Sequence, residues 1–121
     1  MRGEIWVYMD VESSKRRQGV IIADGGTIAD IDVTLAKVTS QGIRNMFDVP
    51  IEHWKEAGLN KPSVVRCSKL KTVSSVELLF KVGSLHHEDL QRVMDAVIKY
   101  ITAGGQKIKH FNYCMPRMCI L

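Results

Sequence analysis

Ser84-Leu-His-His-Glu-Asp-Leu-Gln-Arg-Val-Met-Asp-Ala-Val-Ile-Lys-Tyr-Ile101 is the stretch that decides the fold class. Leu90, Val93, Met94, Val97, Ile98 and Ile101 recur at steps of three and four, which gathers them on one apolar stripe of a helix. Ser84 reads as its N-cap, and Glu88 and Asp89 stand where the positive end of the helix dipole favours acids. Gly104-Gly105 reads as its stop.

Upstream of this helix the period is two rather than 3.6. Glu4 to Asp10 alternates Ile5, Val7 and Met9 against Trp6 and Tyr8. Glu12 to Gln18 is polar and basic, a loop by composition, and leads into a short buried strand, Gly19 to Ala23, ended by Asp24-Gly-Gly26. From Asp32 to Ser40 Val33, Leu35, Lys37 and Thr39 alternate with Thr34, Ala36, Val38 and Ser40. Asp48 to Ile51 reads as a short edge strand because Pro50 has no N–H for a ladder. Glu52 to Ala57 permits one or two helical turns.

In Ser63 to Val73 strict alternation puts Val64, Arg66, Ser68 and Leu70 on one face, with Val65, Cys67, Lys69 and Lys71 on the other. Such a strand begins in a core and ends at a rim. Val76 to Val82 reads as the last strand. Short strands followed by a single late helix predict a mainly β, α+β fold: a small, strongly bent antiparallel barrel with the helix over it.

The 121 residues suit one domain, and 45% hydrophobic with 25% charged residues argue against disorder. No apolar run approaches a membrane span, and Met1-Arg-Gly-Glu-Ile-Trp6 lacks a signal-peptide pattern, so the cytoplasm is the expected compartment. A net charge of +4 suits an anionic partner without choosing between nucleic acid, acidic protein and membrane surface. The three cysteines, Cys67, Cys114 and Cys119, form no disulfide framework and fit a reducing environment. Residues 104–121 have no clear period and read as a tail of unknown role beside a domain of residues 1–103.

Metal and nucleotide signatures fail on spacing. His86 and His87 are adjacent in the first helical turn, project differently, and read as solvated residues. His110, Cys114 and Cys119 match no common metal spacing, and no Lys-Ser/Thr follows Gly25-Gly26 into a helix. What remains is a set of cations and hydroxyls at strand ends: Arg16, Arg17, Thr39, Ser40, Arg44, Arg66, Ser68, Lys69, Lys71 and Thr72. Converging at one end of a barrel, they supply positive charge for a phosphodiester and donors for oxygens that gain charge during its cleavage. Taken singly, the cations would snorkel to solvent and the hydroxyls would bond locally.

The order of segments resembles the MazF/PemK family of toxin ribonucleases. Arg2-Gly-Glu-Ile-Trp6 stands where that family begins with Arg-Gly-Glu/Asp-Ile/Val-Trp, and Arg17-Gln-Gly-Val-Ile-Ile22 stands at its Arg-Pro-Val-Leu-Val. Val38-Thr-Ser40, Gly58-Leu-Asn-Lys-Pro-Ser-Val-Val65, Lys69-Leu-Lys-Thr72 and Gly83-Ser-Leu85 follow in the family's order. The resemblance implies an SH3-like CcdB/MazF/PemK fold, usually a homodimer, cutting single-stranded RNA, mostly mRNA, at short sequences with no metal or other cofactor. It implies a small acidic antitoxin as partner.

It also places the catalytic pair on Arg17 and Thr39, with Arg16 as the alternative to Arg17 if the loop register slips by one. Together with the strand-end residues, this makes Arg16, Ser40, Arg44, Asp48, Arg66, Ser68, Lys69 and Lys71 the expected RNA contacts. Asp48 and His53 are candidates for the base, and Trp6, Tyr8 or Phe47 for stacking. Gln18 replaces the family's proline, and Ser68-Lys69 replaces its Glu-Gln, a change of charge that alters which bases are read. Two other readings of the same features stay open: a toxin that poisons gyrase by protein contact, and a nucleic-acid binder without catalysis.

Overall fold

The computed structural model describes residues 1–25 and 32–111, with side chains as far as residue 103. Six strands precede the helix: β1 (Glu4–Asp10), β2 (Lys15–Asp24), β3 (Asp32–Thr39), β4 (Asp48–Pro50), β5 (Val64–Ser74) and β6 (Leu78–Ser84), followed by α1 (His87–Phe111). They form one sheet in the order β4-β5-β3-β2-β1-β6, antiparallel at every pairing. The mainly β class with a C-terminal helix is what the chain adopts.

The sheet is strongly bent. Lys71 on β5 reaches Asp10 on β1 at 2.6 Å although β3 and β2 lie between them. In a flat sheet those strands would stand roughly 14 Å apart, further than the two side chains span. The barrel does not close, because β4 and β6 are the two ends of the sheet. Across that seam the connection after β4 leans on β6. A Cβ on Gly58, where φ is +90°, would stand 2.5 Å from the Val82 carbonyl oxygen, and one on Gly83 would stand 2.0 Å from that of Ala57. Only glycine permits so close an approach of two backbones.

Bending divides the core. On one side Ile5, Val20, Ala36, Val38, Val65 and Cys67 pack under Val93 and Val97 of α1. On the other, Tyr8, Ile21, Val33, Leu35 and Val73 form a smaller cluster, with Trp6 and Leu78 at its border. Burial pushes the Cys67 thiol up to about 12, with the Asp48 carboxylate adding to the effect. The helical stripe reaches the core through Leu90, Val93, Met94 and Val97, while Ile98 and Ile101 remain exposed.

Several local expectations change in the fold. Lys15 to Gln18 belongs to β2 rather than to a loop: Asp10↔Lys15 and Met9↔Arg16 are ladder pairs, so backbone bonding holds residues whose polar side chains face out. Strict alternation along β5 is broken, since Ala36 pairs with Leu70 but Lys37 pairs with Arg66, leaving Cys67, Ser68 and Lys69 as a bulge. Cys67 and Leu70 therefore both serve the core under α1. Residues 52–57 form turns rather than helix, and Ser75–Glu77 is a 3-10 turn before β6.

Ser84 closes β6 opposite Glu4, and the helix is capped by His86, whose Nδ1 accepts from the Glu88 N–H at 3.1 Å. Gly104-Gly105 does not stop α1, which runs on to Phe111, because a glycine weakens a helix by only about 1 kcal/mol. Cys114 and Cys119 lie outside the described residues.

Candidate nucleic-acid interface

Register aligns one residue from each strand in a single row: Lys81, Trp6, Gly19, Lys37, Arg66 and Asp48. Ladder partners share a face, so this row crosses the sheet on the side away from α1. The β2–β3 ladder ends at Gln18↔Val38. Arg17 and Thr39 are the next residues out, and the two-residue period puts them on the face of Lys37. They open on a cleft of about 350 Å³, lined also by Arg16 and Ser40. The connection before β5 supplies the opposite wall through Leu59, Asn60, Lys61 and Ser63.

Thr39 accepts the Gln41 N–H on Oγ1 at 3.2 Å, which orients its hydroxyl without using its O–H. The Arg17 side chain, about one-third exposed, lies 3.9 Å from Asp10. Asp10 is occupied mainly by Lys71 at 2.6 Å and by the Ser13 hydroxyl at 2.9 Å, and these bonds hold its carboxyl below the usual range. The same contact raises the Lys71 ammonium above the ordinary lysine value. Lys71 is therefore tied across the bent sheet, at the margin of the cleft.

The other expected contacts are distributed differently. Arg66 is 2% exposed and donates to Asp48 at 2.5 Å, inside the protein. Asp48 also accepts the Arg44 backbone N–H at 2.7 Å, while the Arg44 guanidinium reaches solvent. Burial thus removes Arg66 and Asp48 from the surface expected of RNA contacts. Ser68 and Lys69 occupy the bulge, with Lys69 exposed. Tyr8 is buried in the second cluster, Trp6 is partly buried at its border, and the partly buried Phe47 makes a T-shaped contact with Tyr100 at 5.3 Å.

Lys37 is the group that motif matching missed. It lines the cleft with Arg17 and Thr39, two residues inward from Thr39 on β3, and burial, followed by the charges of Arg17, Arg66, Arg44 and Lys69, lowers its ammonium below the lysine range. Its shared alternation with Thr39 was the available signal; its proximity to Arg66 required the β3–β5 register.

His53 stands apart from this cleft. Its ring stacks on His86 at 4.0 Å, and both nitrogens face carboxylates, Glu56 at 3.1 Å and Glu88 at 3.3 Å. His53, His86 and Glu88 each bring a ligand atom within 4.8 Å of the others. The near-parallel rings direct their in-plane lone pairs side by side rather than toward a common point. Beneath them the buried Asp89 accepts the backbone N–H groups of Glu52 and His53 at 3.1 and 3.0 Å and also binds Arg92, anchoring the connection that forms the cleft's far wall.

Residues 1–101 match the sequence profile of the PemK-like, MazF-like toxins of type II toxin-antitoxin systems. The chain belongs to this toxin family. Solved structures repeat the fold. The toxin-family chain is similar to a mycobacterial endoribonuclease in complex with its cognate antitoxin, at 15% identity and TM-score 0.70, with 84% of this chain and 94% of that one covered. It is similar to Mycobacterium tuberculosis toxin MazF-mt6 at 22% identity and TM-score 0.68, covering 82% and 96%. A MazE-MazF structure from Deinococcus radiodurans matches at 14% identity and TM-score 0.64, covering 83% and 92%. Comparison with curated protein sequences gives no match. No helix among the described residues is long and apolar enough to cross a membrane.

Proposed function

We propose that this toxin-family chain is an endoribonuclease that cleaves single-stranded RNA, mRNA above all, at short sequences. The observation that carries the reading is the meeting of Arg17 and Thr39 at the open end of the β2–β3 ladder, inside a cleft with three further cations, Arg16, Lys37 and Lys61. A ribose 2′-oxygen attacks the adjacent phosphorus and the bond to the 5′-oxygen breaks, leaving a cyclic phosphate and a 5′-hydroxyl. Arg17 keeps its charge at any working pH, and its fork of donors matches two phosphate oxygens as they gain charge. Thr39 and Ser40 donate from the neighbouring strand end. Arg16 and the exposed Arg44 and Lys69 hold flanking phosphates, with Arg66 and Asp48 as buried supports.

The cleft supplies the neutralising charge from side chains, so cutting is expected in EDTA. Purified protein is incubated with several long single-stranded RNAs in EDTA, beside Arg17→Ala and Thr39→Ala. Each variant is expected to cut about 10²- to 10³-fold more slowly, the cost of removing one stabilising donor. Intact RNA with the wild-type protein across all sequences would sink the reading.

The same reading includes cytoplasmic action, self-association and control by an acidic antitoxin. The solved complex of the mycobacterial endoribonuclease with its antitoxin and the MazE-MazF structures support such control. Exposed Ile98 and Ile101 on α1 support a contact surface for a second copy.

A further inference from the structure

We infer that Lys37 is the general base of the cleavage reaction, taking the proton from the ribose 2′-hydroxyl. The inference rests on the ribonuclease reading and supplies the group that reading lacks. Arg16 and Arg17 cannot accept a proton near neutral pH. Asp48 has a buried side chain held by Arg66, and His53 is engaged by Glu56 and Glu88 beside α1. Lys37 and Lys61 are the cleft's remaining ionisable groups, and Lys61 is exposed on the outer wall.

The row across the sheet explains why Lys37 suits the task. On one side its ladder partner is Gly19, which has no side chain; a Cβ there would come within 3.0 Å of the Leu35 Cβ. On the other side its partner is Arg66, which Asp48 neutralises within the protein and holds away from the cleft. The Lys37 amine is thus directed into the cleft with Arg17 and Thr39 and has no carboxylate partner among the described contacts. Arg17 faces it from β2, Arg66 and Lys69 from β5 and Arg44 from the β3–β4 connection. Arg16 and Lys61 line the same cleft, while Asp10, the carboxylate 3.9 Å from Arg17, is committed to Lys71. Burial, followed by these positive neighbours, lowers the Lys37 ammonium below the ordinary lysine range and so eases its loss of a proton.

The neutral amine accepts the 2′ proton as the oxygen-phosphorus bond forms. The leaving 5′-oxygen takes a proton from solvent water, and the ammonium returns its own to solvent, so one proton moves in net from the 2′- to the 5′-oxygen. Arg17 neutralises the negative charge on the phosphorane oxygens throughout.

The test measures kcat, KM and their pH dependence with a short single-stranded RNA that the wild-type protein cuts, for Lys37→Arg and Lys37→Ala. Lys37→Arg preserves charge and length but removes the base. It is expected to lose about 10²- to 10⁴-fold in kcat with little change in KM, and to lose the rise of rate with pH. In Lys37→Ala, small primary amines are expected to restore cutting, with rates that follow amine basicity. Circular dichroism and thermal unfolding identify a variant that has failed to fold, in which case the wild-type pH-rate profile and the Lys37 side-chain titration followed by NMR decide. Coincident midpoints below the free-lysine value support the assignment. A Lys37→Arg enzyme near wild-type kcat, a loss confined to KM, or a wild-type rate that falls as Lys37 loses its proton overturns it. A wild-type protein that cuts no RNA overturns the ribonuclease reading itself.

Discussion

Arg66 donates to Asp48 at 2.5 Å from the adjacent strand, with both side chains essentially sealed from water. Each compensates the other's burial, and the Arg44 backbone N–H shares the same carboxylate oxygen. Truncating one partner would leave the other's charge buried without its main counter-ion. Arg66→Met is therefore expected to cost about 3–5 kcal/mol. Combining it with Asp48→Leu should regain most of that loss. Urea unfolding of the two single variants and the double variant measures the coupling; simple additivity would refute this account.

Asp89 ties the first turn of α1 to the segment that walls the cleft. Its carboxylate accepts from the Glu52 and His53 backbone N–H groups and also binds Arg92. Asp89→Ala is expected to cost about 3 kcal/mol, since two backbone donors lose a charged acceptor. Hydrogen exchange at Glu52 and His53 should accelerate before exchange in the β2–β3 ladder. Unchanged protection at these amides would contradict the anchoring role.

Gly83 lies where β6 meets the β4–β5 connection. Its missing side chain makes room for the Ala57 carbonyl oxygen, which an added Cβ would meet at 2.0 Å. Gly83→Ala is expected to destabilise by about 2–4 kcal/mol through forced backbone movement at a packed seam. Gly42→Ala serves as a control, because nothing lies within 4 Å of the added atom. Thermal unfolding that leaves both variants alike would show that the seam can yield.

His53 makes stability depend on pH near neutrality. Its hydrogen bond to Glu56, followed by that to Glu88, raises its folded pKa above the ordinary 6.5. The ion pairs therefore contribute fully below the unfolded value and lose their contribution as pH rises through the folded one. Urea midpoints at pH 5.5 and 8.5 should differ more in the wild type than in His53→Gln. Equal differences would show that the ring's carboxylate contacts carry no linkage.

The order of elements and the strand-end cations were legible because their signals are local. Apolar spacing through Leu90, Val93 and Val97 reads as helix, and the Thr39-Ser40 pair marks the end of an alternating strand. Family resemblance then joined Arg17 to Thr39, and register brings them together at the cleft. The start of β2 was not legible: Lys15-Arg-Arg-Gln18 has loop composition, while its membership of the sheet comes from backbone bonds to β1. Nor was the β5 bulge, which exists because Ala36 and Lys37 choose partners four residues apart.

Sequence by itself determined which residues repeat with a helical or strand period, because that period is written among near neighbours. Tertiary structure decided which cations remain available. Arg66 and Lys37 are ladder partners on the same face, yet Arg66 meets Asp48 from β4 while Lys37 meets the bare backbone of Gly19 from β2. One charge is neutralised inside the protein and the other is directed into the cleft. That distinction belongs to cross-strand neighbours far apart in the chain, whose electrostatic and desolvation energies no local pattern contains.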